Sequence, residues 1–154
     1  MATVYSIQKT KWEQDTPTTK IKPNEMAGRR RVAYGEYEAA AIASGTVIEM
    51  FNLPNGARIL SGELTYDALD SSSTLSVGHA AYKDAAGTVV ALDVDEYKAA
   101  AASTTAQSVA VAATIALGKN SVVDADEDGI LITVVTGGAT LTGTIMLAME
   151  YVVD

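Results

Sequence analysis

Apolar and polar positions alternate at a two-residue period along much of this 154-residue chain, the pattern of half-buried strands. Across 141–153, Leu141, Ile145, Leu147, Met149, Tyr151 and Val153 fall on one face, with Thr142, Thr144 and Glu150 on the other. Across 107–117, Val109, Val111, Ala113, Ile115 and Leu117 alternate with smaller residues. The segment 129–136 is dense in β-branched residues. Three more runs, 47–51, 57–67 and 74–78, are separated by two reversals. The first is Leu53-Pro54-Asn55-Gly56, where Pro54 presets its backbone angle and Gly56 can take a positive φ. The second is the polar break at 70–73. A looser alternation marks 32–38, and 39–44 reads equally as strand or helical turn. Short strands are expected at 88–92 and 121–123, with 82–87 as a turn.

One stretch breaks the rhythm. Residues 94–102 (VDEYKAAAA) predict a helix of about two turns, with Asp93 or Asp95 as cap, Glu96 in the first turn and alanines behind. Some eight short strands and one short helix, with turns every ten or so residues, define an antiparallel sandwich or barrel.

Charge then divides the chain. The net charge of −8 hides a leader, 1–31, with seven basic residues and three acidic ones, and a remainder with four basic and sixteen acidic. The leader is therefore +4 and the body −12. The basic residues are Lys9, Lys11, Lys20, Lys22, Arg29, Arg30 and Arg31. Residues 1–31 read as an extended arm and 32–154 as one β domain. Two readings of the arm stand: a solvated leader, or a docking device for an acidic partner or a neighbouring copy. Tyr5 and Ile7 share parity and suit a short edge strand. Trp12, the only tryptophan, sits between Lys11 and Glu13, either as an anchor for a partner's pocket or folded onto its own domain. Direct nucleic-acid binding is not expected, because phosphate repels a −12 body.

The chemistry-bearing residues are sparse. There is no Cys, hence no disulfide or thiolate metal site. The single His79 removes multi-histidine sites and, lacking an activated nucleophile, is expected as a hydrogen-bonded structural residue. Asp124, Asp126 and Asp128 before Gly129 match the opening of a calcium loop, but position twelve, where the motif needs Glu, is Val135. They are a weak metal candidate, and an acidic turn is expected instead. Ser71, Ser72 and Ser73 make no nucleophile elbow, Gly137-Gly138 makes no phosphate loop, and Asp67 and Asp70 sit where turns ordinarily place Asp. No enzyme activity and no cofactor are expected. No apolar run approaches the ~20 residues of a membrane span, and the first residues lack a secretion-signal layout, so synthesis in the cytoplasm without a membrane partner is expected.

The stretch 46–78 adds a resemblance. Ile48 and Glu49 on one strand, then Leu53, Pro54, Gly56, Ala57 and Arg58, then Leu69-Asp70-Ser71, then Leu75, Val77 and Gly78, resemble the capsid decoration, or cement, proteins of tailed bacteriophages. The resemblance implies an all-β, antiparallel jelly-roll sandwich with one short helix and an extended N-terminal arm. It implies a structural protein on the outer surface of the virion, assembled in the host cytoplasm, with the major capsid protein and its own copies, as a homotrimer, for partners. Lys9, Lys11, Trp12, Lys20, Lys22, Arg29, Arg30 and Arg31 are the candidate contacts to capsid or neighbour. The alternatives are a carbohydrate- or receptor-binding jelly roll, with Trp12, Tyr34, Tyr37, Tyr66 and Tyr82 as sugar platform, and a cupin-type enzyme, which would need a histidine cluster.

Overall fold

The structure, a computed structural model, describes residues 6–12 and 28–153, with the backbone alone for Gln8 and Trp12. After a helix, α1 (Ile7–Trp12), come ten strands: β1 (Arg30–Ile42), β2 (Val47–Leu53), β3 (Arg58–Tyr66), β4 (Thr74–His79), β5 (Tyr82–Lys83), β6 (Val89–Val90), β7 (Asp93–Ala102), β8 (Gln107–Val111), β9 (Ile130–Gly137) and β10 (Leu141–Val152). One sheet has the order β1-β10-β3-β8, the other β2-β9-β4-β7, and β5 with β6 makes a separate hairpin.

The pairing is nested and antiparallel. With the hairpin set aside, the first strand pairs with the last, the second with the next to last, and so inward: β1 with β10, β2 with β9, β3 with β8, β4 with β7. This is one long ribbon rolled over, so that β10 also pairs with β3 and β9 with β4. The result is a jelly roll of two four-stranded sheets around one core. Residues of the central strands fill most of that core, while β1 and β7 each bury one side chain in it, Ala39 and Tyr97. Ile145, Leu147 and Met149 of β10, Ile132 and Val134 of β9, and Leu75 and Val77 of β4 are fully buried.

Bulges set which side chains point inward. On β3, Leu60 is extra, because Ser61 faces Glu150 while Ile59 faces Tyr151. The parity of β3 therefore flips, and Ile59 is buried along with Leu64 and Tyr66. β10 keeps its parity, so Tyr151 packs on the core as its alternation requires. Val152, buried although on the outer face, is covered by Gly28, whose own Cβ would lie 3.0 Å from that of Val152. The ambiguous 39–44 stretch continues β1 to Ile42 through a bulge in which Ala41 has a φ of 55°.

The short helix lies elsewhere than its sequence pattern places it. Residues 94–102 are not helical but belong to β7, paired with β4. Intrinsic preference for helix amounts to tenths of a kcal/mol per residue, and a two-turn helix does not persist unaided. The β4 edge offers ladder pairing instead, interrupted by two register shifts, and Ser103, bonded through its hydroxyl to Ser73 at 2.9 Å, ties off the end. Where Val77 faces Lys98 and His79 faces Asp93, the surplus residues of β7 arch over Gly78 and turn Tyr97 into the core. The one described helix is α1, capped by the Ser6 hydroxyl, which accepts from the Lys9 N–H at 3.1 Å. Ile7 is therefore helical, not part of an edge strand, and Tyr5 lies outside the described residues. β8 also stops early: Ala112 turns with a φ of 49°, and Ile115–Leu117 form a 3₁₀ turn closed by Gly118.

The topology gathers the connections at two ends. One end carries the tight polar turns 43–46, 67–73, 103–106 and 138–140. The other carries the 54–57 turn, the β5–β6 hairpin, the long 112–129 connection and the start of β1. A single change tests the arch on β7. A Cβ on residue 78 would collide with the carbonyl oxygen of Asp93, which is backbone and cannot swing aside. Gly78→Ala should therefore lower stability by about 2 kcal/mol or more in denaturant titration. Wild-type stability in this variant would show that the arch is not packed on β4.

Candidate interaction surface

The end from which β1 starts carries the charge. Two backbone clasps hold it together. The Gly56 N–H donates to Val123 O at 2.9 Å and the Val123 N–H to Ala57 O at 2.8 Å, so the 112–129 connection is zipped to the Pro54–Gly56 turn. The Asp126 N–H donates to Lys83 O at 2.9 Å and ties that connection to the hairpin. At Gly129 only a bare α-carbon fits against the carbonyl of Leu53, and the residue takes a φ of 72°. These ties bring Asp84, Asp93, Asp95, Glu96, Asp124, Asp126, Glu127 and Asp128 to one end, eight carboxylates among the described residues.

Their field registers on the phenols nearby. Burial, then the charges of Asp124, Glu96 and Asp84, pushes the ionisation of Tyr82 up. Tyr97, buried against Gly118, is pushed up further, by burial first and then by Glu96, Tyr82 and Asp93. Asp93 is held low, first by the Asp95 N–H that donates to its Oδ1 at 3.0 Å. His79 is buried at this end. Its Nδ1–H donates to Ala80 O at 2.9 Å, and its ring meets Tyr82 and Tyr97 edge-on at 5.2 and 6.3 Å. That is a packing role for the imidazole.

Between the hairpin and the 124–129 loop lies an open cleft of about 470 Å³ on the outer side of the second sheet. Leu131, Ala81, Tyr82 and Val89 give it an apolar floor, and Asn52, Lys83, Asp126 and Asp128 are its polar and charged lining. Val89 is 68% exposed. The sequence pattern misses this cleft because β5 and β6 are two residues each, too short for periodicity to register. The one available signal was Tyr82 and Val89–Val90 flanking the Asp84–Gly87 turn.

The candidate arm residues are placed in part. Lys9 and Lys11 lie on α1, exposed and half-buried, and Trp12 ends that helix. Lys20 and Lys22 lie outside the described residues. Arg29 is exposed just before β1. Arg30 pairs with Val152 and makes an ion pair with Glu150 at 3.2 Å, and Arg31 sits opposite Tyr151. The three arginines therefore stand at the same end as the carboxylates.

Other candidates separate. Among the described residues no three His, Asp or Glu side chains group as metal ligands, and Asp124, Asp126 and Asp128 form no such group. Asp126 Oδ1 instead accepts from the Asp128 N–H at 3.2 Å, and Val135, at position twelve, is a rung of β9 between Val47 and Ser76. At the opposite end Asp67 Oδ2 accepts from the Thr144 N–H at 3.0 Å, and the Asp70 carbonyl accepts from the Ser73 N–H, as turn residues do. The four tyrosines share no platform: Tyr34 is 62% exposed on the first sheet, Tyr37 points to the other side of β1, Tyr66 is buried and Tyr82 is in the cleft. No described helix is long and apolar enough to cross a membrane.

No family model matches the chain, and no curated protein does. Solved structures do. A chain of the Ralstonia phage GP4 capsid superposes with a TM-score of 0.62 at 23% identity, covering 83% of this chain and 86% of that one. A chain of the cyanophage Pam1 capsid asymmetric unit gives 0.60 at 22%, covering 82% and 86%. A chain of the acid-stable capsid of Helicobacter pylori bacteriophage KHP30 gives 0.53 at 12%, covering 82% and 90%. At these identities the likeness is one of fold.

The buried phenol supplies a test of this end. Unfolded, Tyr97 ionises near its ordinary 10.0, whereas folded it holds its proton to higher pH. Above that value the unfolded state binds fewer protons, so the contribution of Tyr97 to stability is lost as pH rises. Tyr97→Phe should flatten the alkaline limb of the stability–pH curve measured by denaturant titration. An unchanged limb would show that the phenol ionises as freely folded as unfolded.

Proposed function

We propose that this chain is a cement, or decoration, protein of a phage virion. It binds the outer surface of the head, gathers in threes where capsid subunits meet, and stabilises the shell without catalysis. The single observation behind this reading is the shared fold: one jelly roll matches more than four-fifths of this chain and at least 86% of each of three phage-capsid chains. The resemblance of 46–78 points the same way, since those residues form β2, β3, β4 and their turns, and Leu53, Ala57, Leu69, Leu75 and Val77 are buried in the core. In this reading the major capsid protein and sibling copies are the partners.

The basic arm, 1–31, is the proposed attachment device. Lysines and arginines guide encounter and lose strength with salt, while a desolvated aromatic holds the complex. Lys9, Lys11, Lys20, Lys22, Arg29, Arg30 and Arg31 take the first role and Trp12 the second. Co-sedimentation with expanded, undecorated heads tests this. Removing 1–27 spares Gly28 and all ten strands, so the melting temperature should hold while head binding falls sharply. Trp12→Ala should weaken binding by about 2 kcal/mol, mostly as a faster off-rate. If the truncated chain binds as tightly as the whole one, the contact lies on the jelly-roll loops and the arm is a leader only.

A further inference from the structure

We infer that the cleft between the β5–β6 hairpin and the 124–129 loop seats the arm of a neighbouring copy, the part that precedes its Gly28. The inference rests on the cement reading only in taking the arm to be an attachment device. The cleft has the form of a docking groove: about 470 Å³, open along one side, with Leu131, Ala81, Tyr82 and Val89 on its floor. Val89 at 68% exposure leaves an apolar wall uncovered on a separate two-stranded hairpin. The two walls are fixed to each other by the Asp126 N–H on Lys83 O.

Charge selects the occupant. Asp126 and Asp128 line the cleft against one cation, Lys83, and Asp84, Glu96 and Asp124 lie close enough to Tyr82 to shift its ionisation, so the partner is cationic with an apolar element for the floor. Within this protein the stretch 1–12, with Lys9 and Lys11 and no acidic residue, carries that combination, with Ile7 and Trp12 beside its lysines. A capsid surface would have to supply both features from outside.

Geometry favours a second copy over the chain's own arm. Gly28 lies on Val152 and Arg30 ion-pairs with Glu150, both on the outer face of the first sheet. The arm thus enters β1 from that side. The cleft opens on the outer side of the second sheet, next to Asn52 and Leu131, which face each other across β2 and β9. The two lie on opposite layers of the sandwich, and seating of arm in cleft is a head-to-tail contact, which makes a ring where its rotation closes.

The chain has no cysteine, so a thiol cross-link reads the contact directly. Thr10→Cys in the arm and Ala85→Cys in the hairpin turn, both exposed positions, are prepared as separate single variants. They are mixed as full-length chains and treated with a short bismaleimide, with and without heads. The expected result is a cross-linked dimer in the mixture that neither variant alone produces. Asp126→Asn with Asp128→Asn, which keeps the oxygen that accepts the Asp128 N–H, should lower its yield by roughly five-fold, as should added salt. No cross-link under either condition overturns the inference. So does a double variant that links only within one chain, since the cleft then holds its own arm. Head binding is scored separately by co-sedimentation: cross-linked copies that ignore heads would sink the cement reading and leave the cleft assignment standing.

Discussion

The fold depends on the register of β9 and β10, each paired on both sides and each free of a bulge of its own. β10 bonds β1 and β3, and β9 bonds β2 and β4. Ile145, Leu147 and Met149 on one and Ile132 and Val134 on the other are fully buried in a single apolar cluster. A one-residue slip in either would send these side chains to the outer faces. Irregularity falls on the other strands. Leu60 on β3, Met50 on β2 and the arch of β7 all lie opposite strands whose own alternation is unbroken at those points. The close approach of β1 to β2 follows the same logic: the Met50 bulge reaches β1 where Gly35 has no side chain, and a Cβ there would lie 2.8 Å from the Met50 carbonyl oxygen.

The two ends differ in their connections: the 43–46, 67–73, 103–106 and 138–140 turns lie at one, and the 54–57 turn, the hairpin and the 112–129 connection at the other. The 67–73 turn is spent on hydrogen bonds, with the Ser73 and Ser103 hydroxyls joined and buried. The opposite end holds the 112–129 connection, which reuses its backbone to clamp the Pro54–Gly56 turn and leaves its carboxylates facing outward. Beneath these charged side chains the lone imidazole is already engaged by Ala80 and two phenols. In the cement reading proposed above, long-range attraction would set encounter and a small apolar floor residence.

The sequence carried the strands well where one face is buried and the other wet. The alternation at 141–149, the β-branched run at 130–136 and the Pro54–Gly56 reversal all appear in place. It misled at 94–102, where alanine preference for helix is a local quantity and the β4 ladder that overrides it is a distant one. It was silent on the Leu60 bulge, because an extra residue shows only against the partner strand. The basic leader was visible as charge, and of its residues Arg30 and Arg31 belong to β1, with Arg29 just before it. The cleft was not visible, since Tyr82, Val89 and Leu131 come from three segments that only the rolled ribbon brings together.

Electron cryomicroscopy of expanded heads incubated with the full-length chain bears most directly on the cement reading. The expected result is extra density on the outer surface, grouped in threes at local three-fold positions, into which this jelly roll fits with its charged end at the contacts. Bare heads, or isolated copies away from those positions, would contradict it.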